Sequence, residues 1–465
     1  MSDLNSINEV LVKYGLSRGA DQIEIFTVNE RKVSIQQHGE RTGFNSSIVA
    51  GIGIRAAISK KWGFTCSSSL DLNNAKTEID QAIKIAKISE DDPDFAGFPS
   101  QPSLPAIPEL VNQKLKNIQI EEIVAALIDA RTNALDVNKN LTNVNGSFQV
   151  AVSNRAIANS SGLDVSYEKT SYSAGFAAVG TYGDHRHSET SFTGGTRYDL
   201  NLKPLAEDAA RRTAEMLGPA SKIEESQISL IMEPTSAAIF FIAATRLIFK
   251  GNLALSHRSQ FQMKDLGTQI ASPALTFIDD GTLKGGIKAA PVDDEGSASK
   301  RTALIDKGVL KNFLFDHSQA RKAGVEPTGN AARGIGHSPR SYTNLPAIGS
   351  RDRIIRPGTK TQAELIAEVD NGLLIGYPAG IFLSNPMTTD FTIFPTRVLG
   401  IKNGEITGPV TGASMAGNAI QWLKKITAVG NDTITMESMT SPSILFNDIP
   451  VSAAEKKKSK PPMMG

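Results

Sequence analysis

Two histidines of this chain have a spacing that suits a metal site. His185 and His187 stand two residues apart in the segment GDHRHSE. On a β-strand this spacing places both imidazoles on one face, as two ligands of one metal ion require. No nearby residue supplies the third ligand, so two exposed histidines beside a turn are the simpler interpretation. A hydrolase that binds a metal through His185, His187 and unassigned carboxylates remains the alternative.

The other familiar nucleophile and metal motifs are absent from the sequence. Cys66 is the only cysteine, which excludes an internal disulfide and a four-cysteine zinc site within the chain. It follows Trp62 and Phe64 in a strand-like stretch and is predicted to be a buried, inert thiol. There is no H-E-x-x-H, C-x-x-C, G-x-S-x-G or Walker A motif. Taken alone, the residues do not display an active site.

Two acidic clusters lie beside turns, at residues 279–280 (DD) and 293–296 (DDEG). Paired carboxylates are suited to acid–base catalysis or to cation binding. Neighbouring residues of a strand point to opposite faces, however, so these carboxylates do not converge automatically. Aspartate also caps its own backbone in turns, and glycine supplies a positive φ there. Turn formation is therefore the interpretation that the residues favour.

The loop EPTGNAARG (326–334) presents a similar choice. Gly329 and Asn330 suit a tight turn, because both residue types tolerate a positive φ. Arg333 follows three residues later, and its guanidinium is suited to binding the carboxylate of a peptide terminus. A turn without a ligand is again the simpler interpretation.

Composition and charge exclude several classes of function. Of the 465 residues, 40% are hydrophobic, which is enough for a large core and favours two domains. Lysine and arginine number 49 and aspartate and glutamate 48, so the net charge of +1 gives no electrostatic reason to expect nucleic acid or a membrane as a partner. The longest apolar run, AAIFFIAA (237–244), is far shorter than the roughly 20 residues of a membrane-spanning helix. The N-terminus has no signal-peptide pattern, so we expect a cytoplasmic protein.

Periodicity predicts an α+β domain of strands flanked by helices in residues 1–220. Alternating apolar and polar residues predict strands from residue 21 onward. NSSG (159–162) predicts a hairpin turn within a set of short strands over residues 140–191. Apolar residues recur at helical spacing near the N-terminus and in three later segments, 72–89, 118–137 and 200–217.

Residues 221–452 are predicted to form a β-rich, antiparallel domain like a barrel or sandwich. A strand (228–232) and an apolar helix (235–249) come first, and short strands separated by glycine turns follow. The polar segment PASKIEES (219–226) is expected to mark the boundary between the two domains. Residues 453–465 carry four lysines and are predicted to be a disordered basic tail.

Beyond these local patterns, the order of several short segments resembles that of a known family. The succession is similar to that of the TldD/PmbA family, also described as modulators of DNA gyrase. The resemblance covers nearly the whole chain, and DDEG followed by GVLK is its most specific part. After the apolar helix the segments are SHRSQF (256–261), LTFIDDGT (275–282), DDEG (293–296), GVLK (308–311), PTGNAAR (327–333) and GLLIGYPAG (372–380).

The resemblance implies a fold and an activity. Members resemble two-domain proteins with an α+β N-terminal half and a β-rich C-terminal half. TldD pairs with TldE, also called PmbA, to form a zinc peptidase that cleaves unfolded peptides. The TldD subunit carries H-E-x-x-x-H on the apolar helix and a cysteine near the C-terminus. Two imidazoles and a thiolate bind zinc, and the glutamate is the base for the attacking water.

This sequence departs from the TldD pattern at each of those positions. Counted back from SHRSQF, the first histidine and the glutamate correspond to Ile242 and Ala243, and the second histidine corresponds to Leu247. The stretch 436–448 has no cysteine, and no histidine lies between residues 188 and 256. The chain therefore resembles the TldE/PmbA subunit, so no catalytic residue, metal or cofactor is expected in it.

We accordingly expect a non-catalytic subunit that shapes the substrate cleft of a zinc peptidase. The implied partners are a TldD-type catalytic subunit, which holds the zinc in a heterodimer, and unfolded peptide substrates. A homodimeric peptide-binding protein without protease activity is a further alternative. The residues expected near the cleft belong to the DDEG turn and the loop that follows it: Asp294, Glu295, Gly296, Thr328, Gly329, Asn330 and Arg333.

Overall fold

The computed structural model describes residues 4–95, 97–223, 226–334, 341–381 and 387–453. In its N-terminal half, a six-stranded antiparallel sheet is flanked by helices. The elements of this half are α1 (Leu4–Ser17), β1 (Gln22–His38), β2 (Arg41–Ile58), β3 (Lys61–Ser67), α2 (Leu72–Ile88), α3 (Gln113–Lys116), α4 (Ile120–Leu135), β4 (Leu141–Asn159), β5 (Asp164–Tyr182), β6 (His185–Gly195) and α5 (Lys203–Ala214).

The strands of this sheet have the order β3-β2-β1-β4-β5-β6, and those in residues 140–191 are longer than predicted. The prediction of short strands over residues 140–191 is wrong, because β4 and β5 have 19 residues each. A glycine inside them does not interrupt the ladder: Gly146 lies against the ring of Phe176, in space that a side chain would need. The predicted turn at 159–162 is present, with Gly162 at φ 88°.

The alternation of β1 sends its side chains to two different neighbours. Ile23 and Ile25 pack against the helices α1 and α2 on one face of the sheet. Glu24 and Phe26 point to the opposite face, where Phe26 packs with Tyr342 of the C-terminal half. One face of the N-terminal sheet is therefore the surface on which the C-terminal half rests.

The C-terminal half is rich in β-structure and contains a six-stranded, a two-stranded and a ten-stranded sheet together with short helices. Its elements are β7 (Ser221–Lys222), β8 (Ser226–Met232), α6 (Pro234–Ala244), α7 (Gly251–Leu255), β9 (Phe277–Asp280), β10 (Arg301–Asp306), β11 (Val309–Leu310), α8 (His317–Ala323), β12 (Ala331–Arg333), β13 (Pro346–Ile348), β14 (Asp352–Ile355), α9 (Gln362–Ala367), β15 (Asn371–Ile375), β16 (Pro378–Ala379), β17 (Asp390–Pro395), β18 (Val398–Lys402), β19 (Glu405–Thr411), β20 (Ala413–Asn418), α10 (Ala419–Lys424), β21 (Ile426–Val429), β22 (Ile434–Met436), β23 (Met439–Ser441) and β24 (Ile444–Ala453).

The sheets of this half confirm the predicted α+β fold class. One sheet has the order β11-β10-β9-β14-β23-β22, and a larger one runs β16-β17-β20-β24-β8-β15-β18-β19-β7 with β21 beside β24. Most pairs are antiparallel, and β8–β15, β14–β23 and β7–β19 are parallel. Of the predicted basic tail, Ala453 ends β24, and residues 454–465 lie outside the described part of the chain.

The apolar helix α6 is buried in the core of the C-terminal half. It was predicted to reach residue 249 but ends at Ala244, and the backbone of the next residue, Thr245 (φ −99°, ψ 5°), leaves the helical range. The Thr245 hydroxyl donates to the carbonyl of Phe241 at 2.5 Å, and the chain continues in turns to Phe249. Within the ranges that the structure describes, no helix combines the length and the apolar character needed to cross a membrane.

Candidate functional site

The face of the N-terminal sheet that meets the C-terminal half carries a buried ion pair. Glu24 on β1 and Arg55 on β2 are direct cross-strand partners. The guanidinium of Arg55 donates to both carboxylate oxygens of Glu24, at 2.8 Å from Nε and 2.6 Å from Nη2. Two parallel hydrogen bonds of this kind are the strongest form of an arginine–carboxylate contact. The sheet thus presents a fixed pair of charges to the C-terminal half.

The DDEG segment is a tight turn that its first aspartate organises. The carboxylate of Asp293 accepts hydrogen bonds from the backbone N–H groups of Glu295, Ser297 and Ala331, at 3.0, 2.9 and 3.0 Å. Gly296 has φ 94°, a conformation that favours glycine. The turn and the loop that follows Asn330 are therefore joined by the side chain of Asp293.

Arg333 connects this turn to the sheet. Its backbone N–H donates to Asp294 Oδ2 at 2.8 Å, and its Nε donates to the carbonyl oxygen of Asp294 at 3.1 Å. Its Nη2 forms an ion pair with Glu24, and its guanidinium lies 4.7 Å from the ring centre of Phe26. The side chain that was considered for binding a peptide terminus is therefore already paired with the Glu24 carboxylate of its own chain.

Two further contacts complete what we call the first ion-pair cluster. Glu295 Oε1 accepts from Arg55 Nη1 at 3.0 Å, and Asp294 Oδ1 accepts from Arg155 Nη1 at 3.3 Å. Arg155 lies on β4, so strands β2 and β4 contact the turn directly, and β1 is linked to it through the pairs that Glu24 makes with Arg55 and Arg333. The cluster consists of Glu24, Arg55, Arg155, Asp294, Glu295 and Arg333.

The electrostatics of the cluster follow from its burial. Burial lowers the pKa of Arg55, but the carboxylates of Glu24 and Glu295 raise it by more, so its pKa lies above the usual value. Burial and the negative charge of Glu295 raise the pKa of Asp293 to about 7. Arg55 therefore stays charged at neutral pH, and Asp293 takes up a proton more readily than an exposed aspartate does.

Two glycines allow the C-terminal half to approach this closely. Gly51 and Gly53 on β2 occur in the segment GIGIR. A Cβ atom on Gly51 would lie 2.5 Å from the ring of Tyr342, and one on Gly53 would lie 2.7 Å from the carbonyl oxygen of Tyr342 and 3.4 Å from Arg333 Nη1. These glycines are not followed by a predicted helix and are therefore not a nucleotide-binding motif, and nothing local in the sequence indicates that they serve contact with residue 342.

The loop residues Thr328, Gly329 and Asn330 anchor the C-terminal half internally. Thr328 Oγ1 accepts from the backbone N–H of Phe315 at 2.7 Å. Gly329 has φ 74°, and a Cβ there would lie 2.4 Å from the carbonyl oxygen of Ala298. Asn330 Nδ2 donates to Asp279 Oδ1 at 2.8 Å, and burial raises the pKa of Asp279 to about 6.

The structure thus brings the predicted cleft residues together but buries the charged ones. Asp294, Glu295, Asn330 and Arg333 have between 1% and 7% of their surface exposed. In this chain they fix the positions of the turn, the loop and the sheet relative to one another. A bound peptide would therefore contact neighbouring residues whose positions these side chains determine. Their place at a substrate cleft stays a prediction.

A second buried ion-pair cluster was missed by the sequence analysis. Arg397 lies between Glu233, at the start of α6, and Glu215, just after α5; Arg397 Nη1 is 2.5 Å from Glu233 Oε1. Arg212 on α5 approaches Glu233 Oε2 at 2.9 Å and Glu189 at 3.7 Å. No sequence pattern could have found it, because its members are up to 208 positions apart, from 189 to 397.

The histidines considered as metal ligands are part of the same neighbourhood. His187 Nε2 lies 2.8 Å from Glu189 Oε1, and His185 is exposed at the start of β6. Among the residues that the structure describes, no three or more His, Cys, Asp or Glu side chains are placed to hold a metal ion. Cys66 on β3 is half-buried, and burial raises the pKa of its thiol.

The positions that match the family's zinc motif have no ligand atoms. Ile242 and Ala243 lie in the last turn of α6, are half-buried and pack against the C-terminal core. Leu247 follows in the turn beyond the helix. Zinc in proteins is bound by sulfur, nitrogen or oxygen, and these three side chains are hydrocarbon. The residues present therefore do not fit a zinc ion.

Family models match most of the chain. The descriptions are PmbA/TldA metallopeptidase domain 1 for residues 24–87, central domain for residues 113–217 and C-terminal domain for residues 225–453. An uncharacterized protein of Methanocaldococcus jannaschii is 27% identical over 94% of this chain and 98% of its own length. The metalloprotease PmbA of Escherichia coli O157:H7 is 26% identical over 89% of this chain and 87% of its own.

A solved structure has the same fold. The crystal structure of TldE from Thermococcus kodakarensis superposes with a TM-score of 0.88 and covers 96% of this chain and 100% of its own. The two sequences are 24% identical, so this similarity shows the fold alone.

Proposed function

The chain belongs to the PmbA/TldD metallopeptidase family, and we propose that it is the non-catalytic subunit of a zinc peptidase. A TldD-type partner holds the zinc, and this chain completes the cleft in which an unfolded peptide is held extended. Main-chain hydrogen bonds to a sheet edge would bind such a peptide with little dependence on its sequence. A narrow cleft shared by two subunits would exclude folded proteins by their size.

One observation carries the proposal. The matched positions Ile242, Ala243 and Leu247 offer neither zinc ligands nor a base for the attacking water. The stretch 436–448 has no cysteine that would supply the thiolate. The His187 imidazole lies against Glu189 in the second ion-pair cluster, which supports a structural role for it rather than metal hydrolysis by this chain alone.

The proposal is tested by metal analysis and peptide cleavage. The purified chain is measured for bound zinc and for cleavage of unfolded casein, alone and mixed with a TldD-type subunit that contains H-E-x-x-x-H. We expect no stoichiometric zinc and no cleavage for the chain alone, and chelator-sensitive cleavage for the mixture. Stoichiometric zinc together with cleavage by the chain alone would overturn the proposal, and His185→Ala with His187→Ala would then identify the ligands.

The role of the first ion-pair cluster is tested in the reconstituted pair. Asp294→Ala combined with Glu295→Ala removes carboxylate partners of Arg55 and Arg155 and releases the loop that Arg333 anchors. We expect peptide turnover to fall, measured well below the temperature at which the variant unfolds. Glu326→Ala, a change at the exposed first residue of the same loop, is the matched control. Unchanged turnover in a folded double variant would remove these residues from the site.

A further inference from the structure

A narrow pocket in the C-terminal half is lined by three positively charged side chains. Arg246 and Lys250 belong to the turns after α6, and Arg353 belongs to β14. Among the residues that the structure describes, no carboxylate lines this pocket. Four buried apolar side chains complete its lining: Phe249, Phe277, Leu304 and Leu314. We call it the cationic pocket.

The guanidinium of Arg353 has an unused hydrogen-bond donor. Its Nε is buried and has no hydrogen-bond partner among the described residues. Asp279 is its direct cross-strand neighbour on β9, but the Asp279 carboxylate accepts from Asn330 Nδ2 and from the backbone N–H of Arg351, each at 2.8 Å. A buried donor without a partner costs free energy, which an acceptor bound in the pocket would recover.

The charges of the cationic pocket are only partly compensated. Burial and the positive charge of Arg246 lower the pKa of Lys250, and no carboxylate of a described residue opposes them. Burial also lowers the pKa of Arg353. Three carboxylates outside the pocket oppose that effect: Asp279, Glu437 and Asp352. An anion in the pocket would offset the burial of both cations, because an opposite charge favours the charged form.

We propose that the cationic pocket binds a single carboxylate group, either that of a peptide C terminus or that of a small free acid. The pocket has room for about one water-sized group, about 10 Å³, so it admits a carboxylate oxygen more readily than a tetrahedral phosphate. A guanidinium matches the planar carboxylate. Arg246 is exposed and Lys250 and Ser350 are half-buried, so a ligand can enter from solvent.

The lining of the cationic pocket favours an anion over a metal ion. Leu247, which matches the second zinc-binding histidine of the family, lies between Arg246 and Lys250 in the sequence. The fixed positive charges repel Zn²⁺, and the apolar lining strengthens both this repulsion and the attraction for an anion. The inference needs neither zinc nor a partner subunit, so its failure would leave the proposed peptidase role unaffected.

Calorimetric titration of the full chain tests the ligand class. Acetate, chloride and phosphate are compared at constant ionic strength, and acetate is expected to bind at least about fivefold more tightly than either of the others. Trialanine and its C-terminal amide distinguish the two sources of a carboxylate. A peptide terminus is the source if trialanine binds more tightly than acetate and the amide does not bind. A small free acid is the source if acetate binds at least as tightly as trialanine.

Substitutions of the lining cations locate the site. Lys250→Met keeps an apolar stem and should weaken acetate binding at least about tenfold, because a charged hydrogen bond is lost. Arg353→Lys keeps the charge but removes the Nε–H donor, and a similar loss is expected. Arg246→Gln should weaken binding only about two- to fivefold, since water screens an exposed charge. Arg258→Gln, at an exposed arginine outside the pocket, is the matched control and should change nothing.

Three results would overturn the inference. In the first, the chain binds neither acetate nor trialanine. In the second, acetate binds equally to the parent chain and to a Lys250→Met variant that circular dichroism shows to be folded, which would place the site elsewhere. In the third, chloride or phosphate binds as tightly as acetate, which would mean that the pocket attracts anions without selecting a carboxylate.

Discussion

Glu24 and Arg333 form an ion pair in which neither side chain has any exposed surface, although 309 positions separate them in the sequence. Glu24 belongs to the N-terminal sheet and Arg333 to the loop after the DDEG turn. A charge buried to this degree is tolerated only when it is paired and hydrogen-bonded. This contact therefore makes the positions of the sheet and the loop depend on each other.

The first prediction follows from that pair. Glu24→Gln removes the charge that compensates Arg55 and Arg333, and we expect it to lower the free energy of unfolding by about 3–5 kcal/mol. Glu9→Gln is the control, because Glu9 pairs with Lys13 in an exposed position and should change stability by less than about 1 kcal/mol. Urea unfolding measures the free energy of unfolding of both variants. Equal losses would show that the buried pair contributes no more to stability than the exposed pair.

A second prediction concerns pH. Burial lowers the pKa of Lys169 to about 7, and its Nζ donates to the carbonyls of Ile287 and Ala289 at 2.5 and 2.6 Å. In the unfolded chain its pKa is about 10.4. Between pH 7 and about 10 the unfolded state therefore binds more protons, so this group makes stability rise with pH across that window.

Lys169→Met removes the titration and keeps most of the side-chain volume. The urea midpoints of the parent chain and the variant are compared from pH 6.5 to 9.5. The parent is expected to gain more stability than the variant over this range, because other titrating groups cancel in the difference. Parallel curves would mean that Lys169 keeps an ordinary pKa, stabilised by Asp352 among the charges around it.

The third prediction tests the packing of the second ion-pair cluster. A Cβ atom on Gly376 would lie 2.9 Å from Arg397 Cδ and Glu233 Oε2, and 3.0 Å from Arg212 Nη2. Gly376→Ala should therefore displace the side chains of the cluster and lower the free energy of unfolding by about 1–3 kcal/mol. Gly218→Ala is the matched control, because no atom lies within 4 Å of its added methyl group. Thermal unfolding distinguishes them, and similar melting temperatures would contradict the prediction.

A fourth prediction uses the contact between Asn330 and Asp279. Asn330→Asp puts a second carboxyl 2.8 Å from Asp279, where two negative charges cannot both be held. The folded state must then bind a proton, so the variant should be destabilised at pH 7 and recover part of its stability as the pH falls towards 4. Asn312→Asp, at an exposed asparagine, should show little of this recovery in the same urea titration.

Much of the fold was predictable because its signals are local. Alternation and helical spacing predicted the α+β class, and the structure confirms it. The errors were also local. Residues 140–191 form longer strands than predicted, and Gly146 lies inside β4 against the ring of Phe176. The helix α6 ends early, at Thr245, whose backbone (φ −99°, ψ 5°) leaves the helical range.

The sequence by itself determined the family and the absence of zinc ligands at Ile242, Ala243 and Leu247, because ligand atoms are a property of residue type. Only the tertiary structure decided what surrounds Asp294 and Arg333. Their partners Arg155 and Glu24 are 139 and 309 positions away in the sequence. The local periodicity of a sequence carries no information about a pairing between positions so far apart. It arises when two halves with separate cores meet, and the cost of burying each charge then selects the partner of opposite sign.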